Sequence, residues 1–191
     1  ATAGLRAPDG TTGRGFQTPA GAPTSFGKGT AVDGATVERA VQTWLAIALP
    51  ARMLAVLDVS GSMLNKVPTA QNHTRMEVTT EAARRGLALF DDSWSLGLWI
   101  FSTQLDGDKD YRELQPIAPL SAQRTQILQS LAQIAPKKTG DTGLYDTILA
   151  GYQTIQDGYD PGAINTLLVM TDGQNDDKNG LTLDQLIDQL K

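Results

Sequence analysis

Apolar positions along the chain follow two periods, and the switching between them outlines a fold. Val37, Val41, Trp44 and Ala48 recur at helical spacing, which predicts a helix that Pro50 ends. Residues 53–57 form an apolar run with no alternation, as expected of a strand buried on both faces of a parallel sheet, and the run stops at Asp58. Thr74 and Glu77 make a T-x-x-E capping box ahead of Met76, Thr79, Ala83, Leu87 and Phe90, which share one helical face. Residues 96–101 predict a second strand and residues 111–117 a third, separated by the polar turn 106–110. Ser121 opens a helix carrying Ile127, Leu128, Leu131 and Ile134, and Leu144, Ile148, Tyr152 and Ile155 mark another. Residues 166–170 are again a continuous apolar strand, which leads into Asp172. Thr182 and Gln185 cap a last helix with Leu183, Leu186, Ile187 and Leu190. Strands alternating with helices predict the α/β class: a doubly wound, mostly parallel sheet flanked by helices on both faces.

Composition sets the limits of this picture. Residues 1–33 are rich in Gly, Pro, Thr and Ala, so residues 1–35 are expected to be a linker or the tail of a preceding domain, and residues 36–191 the α/β domain. There is no cysteine, which excludes disulfides, thiolate metal ligands and a Cys nucleophile. A net charge of −5 with both signs interspersed lacks the basic stripe of a nucleic-acid surface. Residues 1–10 have neither the basic start nor the apolar core of a signal peptide. The most apolar window, residues 44–59, is broken by Pro50 and Arg52 and is shorter than the roughly 20 residues of a membrane helix, so no membrane span is expected.

The chemistry concentrates where the two buried strands end. Ligands of open parallel sheets sit at the carboxyl ends of the strands, which brings Asp58 and Asp172 to one crevice. Two carboxylates held close repel unless a cation or a proton joins them. Asp58-Val59-Ser60-Gly61-Ser62 spaces three oxygen side chains two apart, and Gly61 allows a tight turn between them. No His or Cys accompanies them, and an all-oxygen set suits a hard cation: Mg²⁺, Mn²⁺ or Ca²⁺.

These residues resemble the von Willebrand factor type A domains. Asp58-x-Ser60-x-Ser62 is similar to that family's leading motif, Gly140-Asp141-Thr142-Gly143-Leu144 to its threonine loop, and Thr171-Asp172-Gly173 to its aspartate turn. Together the three motifs span residues 53–172. The resemblance implies a metal-ion-dependent adhesion site with Ser60, Ser62 and Thr142 ligating through hydroxyls, and Asp58 and Asp172 acting directly or through water. It implies Mg²⁺, or else Mn²⁺ or Ca²⁺, with Met63, Asp141, Gly143 and Gln174 on the rim. It further implies a non-catalytic protein that binds a ligand presenting Asp or Glu, in an extracellular or cell-surface setting. An intracellular assembly module working beside an ATPase is the alternative, and a serine hydrolase a third. Residues 1–33 resemble the junction of bacterial exported proteins in which a solute-binding-like domain precedes the A domain. Two departures stand out: Asp141 occupies a place where the family often has glycine, and the sequence ends at Lys191 where the family fold continues with two strands and a helix. The strand over 166–170 is therefore expected to carry an open edge along which another chain can pair.

Other features invite plainer explanations. Asp106, Asp108 and Asp110 resemble the start of a calcium loop, but the required Gly and Glu positions hold Tyr111 and Ile117, so a solvated turn is expected. His73, Ser60 and Asp172 could be imagined as a triad, yet the places two before and two after Ser60 hold Asp58 and Ser62 rather than Gly. His73 is expected on an exposed loop or the rim. A phosphatase built on Asp58 needs a second Asp where Ser60 stands. Lys137 and Lys138 are expected in a solvated loop that could steer an acidic partner, Asp176 and Asp177 on a solvated rim, and Trp44, Trp94 and Trp99 in packing.

Overall fold

Helix α1 (Gly34–Ala48) forms where the periodicity places it. The Asp33 carboxylate accepts the Thr36 N–H at 2.9 Å and so satisfies one of the free donors at its start. Trp44 on this helix is exposed. The computed structural model describes residues 32–191. Contacts divide the chain between residues 47 and 48, and the unit from residue 48 onward contains the sheet.

That sheet has four strands in the order β5-β4-β1-β6. They are β1 (Ala51–Asp58), β4 (Ser95–Asp106), β5 (Lys109–Pro119) and β6 (Ile164–Met170), while β2 (Lys66–Val67) and β3 (His73–Thr74) make a separate two-stranded ladder. Four helices accompany them: α2 (Arg75–Leu87), α3 (Leu120–Gln133), α4 (Leu144–Asp157) and α5 (Leu183–Gln189). β1 runs parallel to both β4 and β6. β4 and β5 are antiparallel, because only the tight turn at Gly107 and Asp108 joins them and a parallel pair needs a long crossover. Gly107 takes φ +61°, a backbone state that glycine reaches without strain.

Alternation along each strand sorts the core into two layers. Leu57, Leu96, Leu98 and Ile100 face Met76 and Leu87 of α2 and Leu120, Ile127 and Leu131 of α3. Leu54, Val56, Trp99 and Phe101 pack with Ile155 of α4, joined by Tyr111, Leu167 and Val169. Gly151 lets α4 lie close, since a Cβ there would stand 2.8 Å from the Leu167 side chain. The apolar β1 run is thus read correctly as a strand covered on both faces. β6 pairs with β1 alone among the described residues, and Leu168 on it is 40% exposed.

Both capping boxes form. Thr74 accepts from the Glu77 N–H while the Glu77 carboxylate accepts from the Thr74 N–H, and Thr182 and Gln185 do the same for α5. α2 stops at Leu87, earlier than the apolar face suggests. Phe90 lies beyond it and stacks on Trp94 at 4.1 Å between ring centres. Trp99 is buried and stacks on Tyr111 at 4.4 Å.

Candidate metal centre

The winding direction changes beside β1. From β1 the chain passes to α2, which packs on the layer with α3, whereas from β6 it passes to α5, which contacts α4. The two connections leave on opposite faces and open a crevice between the ends of β1 and β6, the place where such sheets bind ligands. Asp58 closes β1 there, and Asp172 follows β6 by two residues.

The loop after β1 is held by the carboxylate that precedes it. Asp58 is fully buried; Oδ1 accepts the Ser60 N–H at 2.7 Å and Oδ2 accepts the Thr171 hydroxyl at 2.6 Å. The backbone then turns through Gly61–Leu64, and Ser60 Oγ and Ser62 Oγ come to 3.0 Å of each other. The Ser62 hydroxyl donates to Asp172 Oδ1 at 2.7 Å. Four of the five expected ligands therefore form one hydrogen-bonded chain from Asp58 to Asp172, across more than 100 residues of sequence.

Thr142, the fifth expected ligand, stands on a third loop. The Gly61 N–H donates to the Gly140 carbonyl at 2.8 Å, and the Lys137 N–H donates to the Val59 carbonyl, which fixes the threonine loop to the serine loop. Thr142 is buried, and its carbonyl accepts the Asp176 N–H at 2.9 Å. A Cβ on Gly173 would lie 3.9 Å from Thr142 Oγ1, so the aspartate turn also reaches this hydroxyl. Gly140 is required by close approach: a Cβ there would stand 2.1 Å from Ser102 Oγ, and Ser102 itself donates to the Asp141 carbonyl.

The donor set fits a divalent cation. Neighbouring ligands of an octahedral Mg²⁺, each about 2.1 Å from it, stand about 3.0 Å apart, and that is the spacing of the two serine oxygens. Three hydroxyls and two carboxylates, with no nitrogen or sulfur, are hard ligands. The buried Asp58 carboxylate has only neutral hydrogen-bond partners, and a buried charge of that kind is stabilised by a nearby cation.

One feature of the centre has no sequence signal. Arg75, the first residue of α2, reaches across with its guanidinium to Asp172 Oδ2. The two lie 97 residues apart. No local pattern links them.

The other expected residues divide. Asp141 and Gln174 are exposed and available to a ligand, and Gly143 is buried beside the Asp110 carboxylate. Met63 does not lie on the rim: it is 1% exposed and packs into the α2–α3 layer, because the short helical turn after Gly61 directs it inward. His73 is exposed with Nδ1 3.5 Å from Glu77, while the partner of Ser60 Oγ is Ser62, so no triad is assembled on this serine. The Lys137 ammonium donates to the Thr103 and Gln104 carbonyls, which holds it in place rather than leaving it free in solvent, and Lys138 is exposed.

The turn aspartates also divide. Asp106 and Asp108 are exposed, but Asp110 is 7% exposed and accepts the Gln104 N–H at 2.8 Å, so it is not a solvated turn residue. Asp177, expected on a solvated rim, is half-buried and joins Asp110 and Asp146 in a trio with one oxygen each within 4.8 Å of the others. Burial raises the Asp110 pKa, and the charges of Asp177 and Asp146 raise it further, against the lowering bond from Gln104. Asp110 at the start of β5, Asp146 in the first turn of α4 and Asp177 in the loop after β6 meet here, and no sequence spacing foretells that.

No curated protein matches the chain. Among solved structures, a PilB minor pilin from Streptococcus sanguinis is 20% identical with a TM-score of 0.49, over 66% of this chain and 30% of that one. An uncharacterized membrane-spanning protein from Vibrio fischeri is 16% identical with a TM-score of 0.45, over 57% and 52%. The chain thus spans well under two thirds of either structure. The von Willebrand factor type A domain family matches residues 53–191, which include all of the sheet but the first two residues of β1, and all three loops, and the chain belongs to that family.

Proposed function

We propose that this domain is a non-catalytic binding module that engages a protein ligand through a divalent cation, Mg²⁺ or else Mn²⁺ or Ca²⁺. The observation that carries the proposal is the serine pair at ligand spacing, tied to Asp172 on one side and through the Ser60 backbone to buried Asp58 on the other. In this role Ser60, Ser62 and Thr142 offer hydroxyl oxygens, and each rotates its proton away to present a lone pair. Asp58 and Asp172 supply the negative charge, directly or through water. With a hydroxyl-rich set, a bound cation stays short of anionic ligands and supplies an open coordination position for a carboxylate. An Asp or Glu of the partner fills that position, bordered by the exposed Asp141 and Gln174, while Gly143, expected on the rim, is buried beside Asp110. Cation and partner then favour each other's binding. Residues 1–35 serve as linker or tail to the domain over 36–191, and a Gly- and Pro-rich segment of this kind accords with an exported protein acting at or outside the cell surface. No helix among the described residues is long and apolar enough to cross a membrane.

Calorimetry with Mg²⁺, Mn²⁺ and Ca²⁺ on the wild type and on Asp172→Ala tests the site. The wild type is expected to bind one cation, and the variant to lose most of that affinity. Equal binding by both proteins would refute the assignment.

A further inference from the structure

We propose that Arg75 is a built-in competitor of the cation: its guanidinium neutralises Asp172 when no cation is bound and opposes the cation for that carboxylate. The inference rests on the cation site proposed above.

Arg75 occupies an odd place by local rules. It is the first residue of α2, where the free N–H groups and the helix dipole favour acidic side chains and disfavour basic ones. The acidic residue of that turn, Glu77, is engaged by Thr74 in the capping box. Arg75 instead leaves the helix end for Asp172, whose side chain is 12% exposed against 41% for Arg75. A local preference overridden in this way is expected where a tertiary partner compensates for it. The backbone prepares the reach, since the Arg75 N–H donates to the Asn65 carbonyl at 2.9 Å and so anchors the helix start to the loop that carries Ser60 and Ser62.

The contact engages Asp172 on the side that Ser62 leaves open. Oδ1 takes the Ser62 hydroxyl and Oδ2 takes Arg75, so neither oxygen is without a donor. The two donors differ in how they yield. Ser62 needs only to rotate its proton to become an acceptor for a cation. Arg75 has five donors, no acceptor and a permanent charge, so it cannot make that switch. A guanidinium and a divalent cation on one carboxylate also repel each other. Arg75 is far enough exposed to swing into water, whereas Asp172 is not. Cation binding therefore weakens or exchanges the Arg75 contact, and with it a tie between the start of α2 and the end of β6.

Three readouts test this on the 191-residue chain. Mg²⁺ calorimetry on Arg75→Met is expected to show affinity about tenfold higher than wild type, with Arg75→Lys in between, since a unit charge a few ångströms away on a 41% exposed, water-screened side chain is worth roughly that factor. Thermal unfolding in EDTA is expected to show Arg75→Met below wild type, because Asp172 has lost its counter-charge, and saturating Mg²⁺ to close that gap. In the wild type, the Arg75 Nε–H resonance, assigned by its loss in Arg75→Lys, is expected to shift as Mg²⁺ is added. Unchanged or weaker Mg²⁺ affinity in Arg75→Met overturns the inference, provided Asp172→Ala still loses binding. If wild type and Asp172→Ala bind alike, or if neither wild type nor Arg75→Met binds Mg²⁺, the cation site itself is wrong and the inference falls with it.

Discussion

Replacing Asp58 by asparagine separates its structural task from its electrostatic one. Asp58 is fully buried and accepts from the Ser60 N–H and the Thr171 hydroxyl at 2.7 and 2.6 Å. In Asp58→Asn the amide oxygen still accepts from Ser60, and the amide nitrogen faces Thr171, whose hydroxyl turns to accept. The cation-free protein should therefore change by no more than about 1 kcal/mol. Asp58→Ala leaves the buried Ser60 N–H without an acceptor, which costs about 1–3 kcal/mol, while the exposed Thr171 finds water. At about 2–4 °C per kcal/mol for a domain of this size, the alanine variant should melt about 2–12 °C lower in EDTA. A ligand at 100 times its dissociation constant stabilises by about 2.7 kcal/mol, so Mg²⁺ at that excess should raise the wild-type midpoint by about 5–11 °C. Asp58→Asn should lose most of this rise, since the negative charge is gone while the loop is intact. Scanning calorimetry in EDTA and in Mg²⁺ measures both effects. A wild-type Mg²⁺ response in Asp58→Asn, or an EDTA midpoint as low as that of Asp58→Ala, would show that the charge and the loop have been assigned wrongly.

Two further outcomes follow from the geometry. The Asp110 pKa is raised in the folded state above the usual 3.8, so its contribution to stability is present below that pH and is lost as pH rises through the folded value. Asp110→Asn should accordingly be more stable than wild type at pH 7 in EDTA and lose that advantage below about pH 4, and a pH series of urea unfolding curves without the pH 7 gain would contradict this. Thr74→Ala removes the side-chain acceptor of the α2 capping box and should cost about 1 kcal/mol, read as a midpoint about 2–4 °C lower; a change within error would mean that tertiary packing alone holds the start of α2.

Wherever one side chain reports its own surroundings, the local pattern sufficed. The apolar run before Asp58 reads as a doubly covered strand because each of its side chains meets a helix layer on one face or the other. Thr74 with Glu77, and Thr182 with Gln185, fix two helix starts within four residues of sequence, and both boxes form. The end of α2 was less legible: Phe90 keeps the helical apolar spacing, but its ring is claimed by Trp94 in the turn beyond. Met63 shows the same limit in the site, since a position three residues after Ser60 reads as rim until the short turn directs it into the core.

The sequence by itself determined the fold class and which oxygen side chains make up the candidate centre. Oxygen side chains at positions 58, 60 and 62, and again at 142 and 172, follow from strand ends and short loops, whose geometry is set by neighbouring residues. The tertiary structure decided which charges those residues meet. Arg75 finds Asp172 across 97 residues, and Asp110 is buried beside Asp146 and Asp177, because the loop after β6 is tied to the threonine loop by the Asp176 N–H and to the start of α4 by the Leu181 N–H. Contacts of that kind depend on how separate segments are brought together in space, and spacing along the chain holds no record of them.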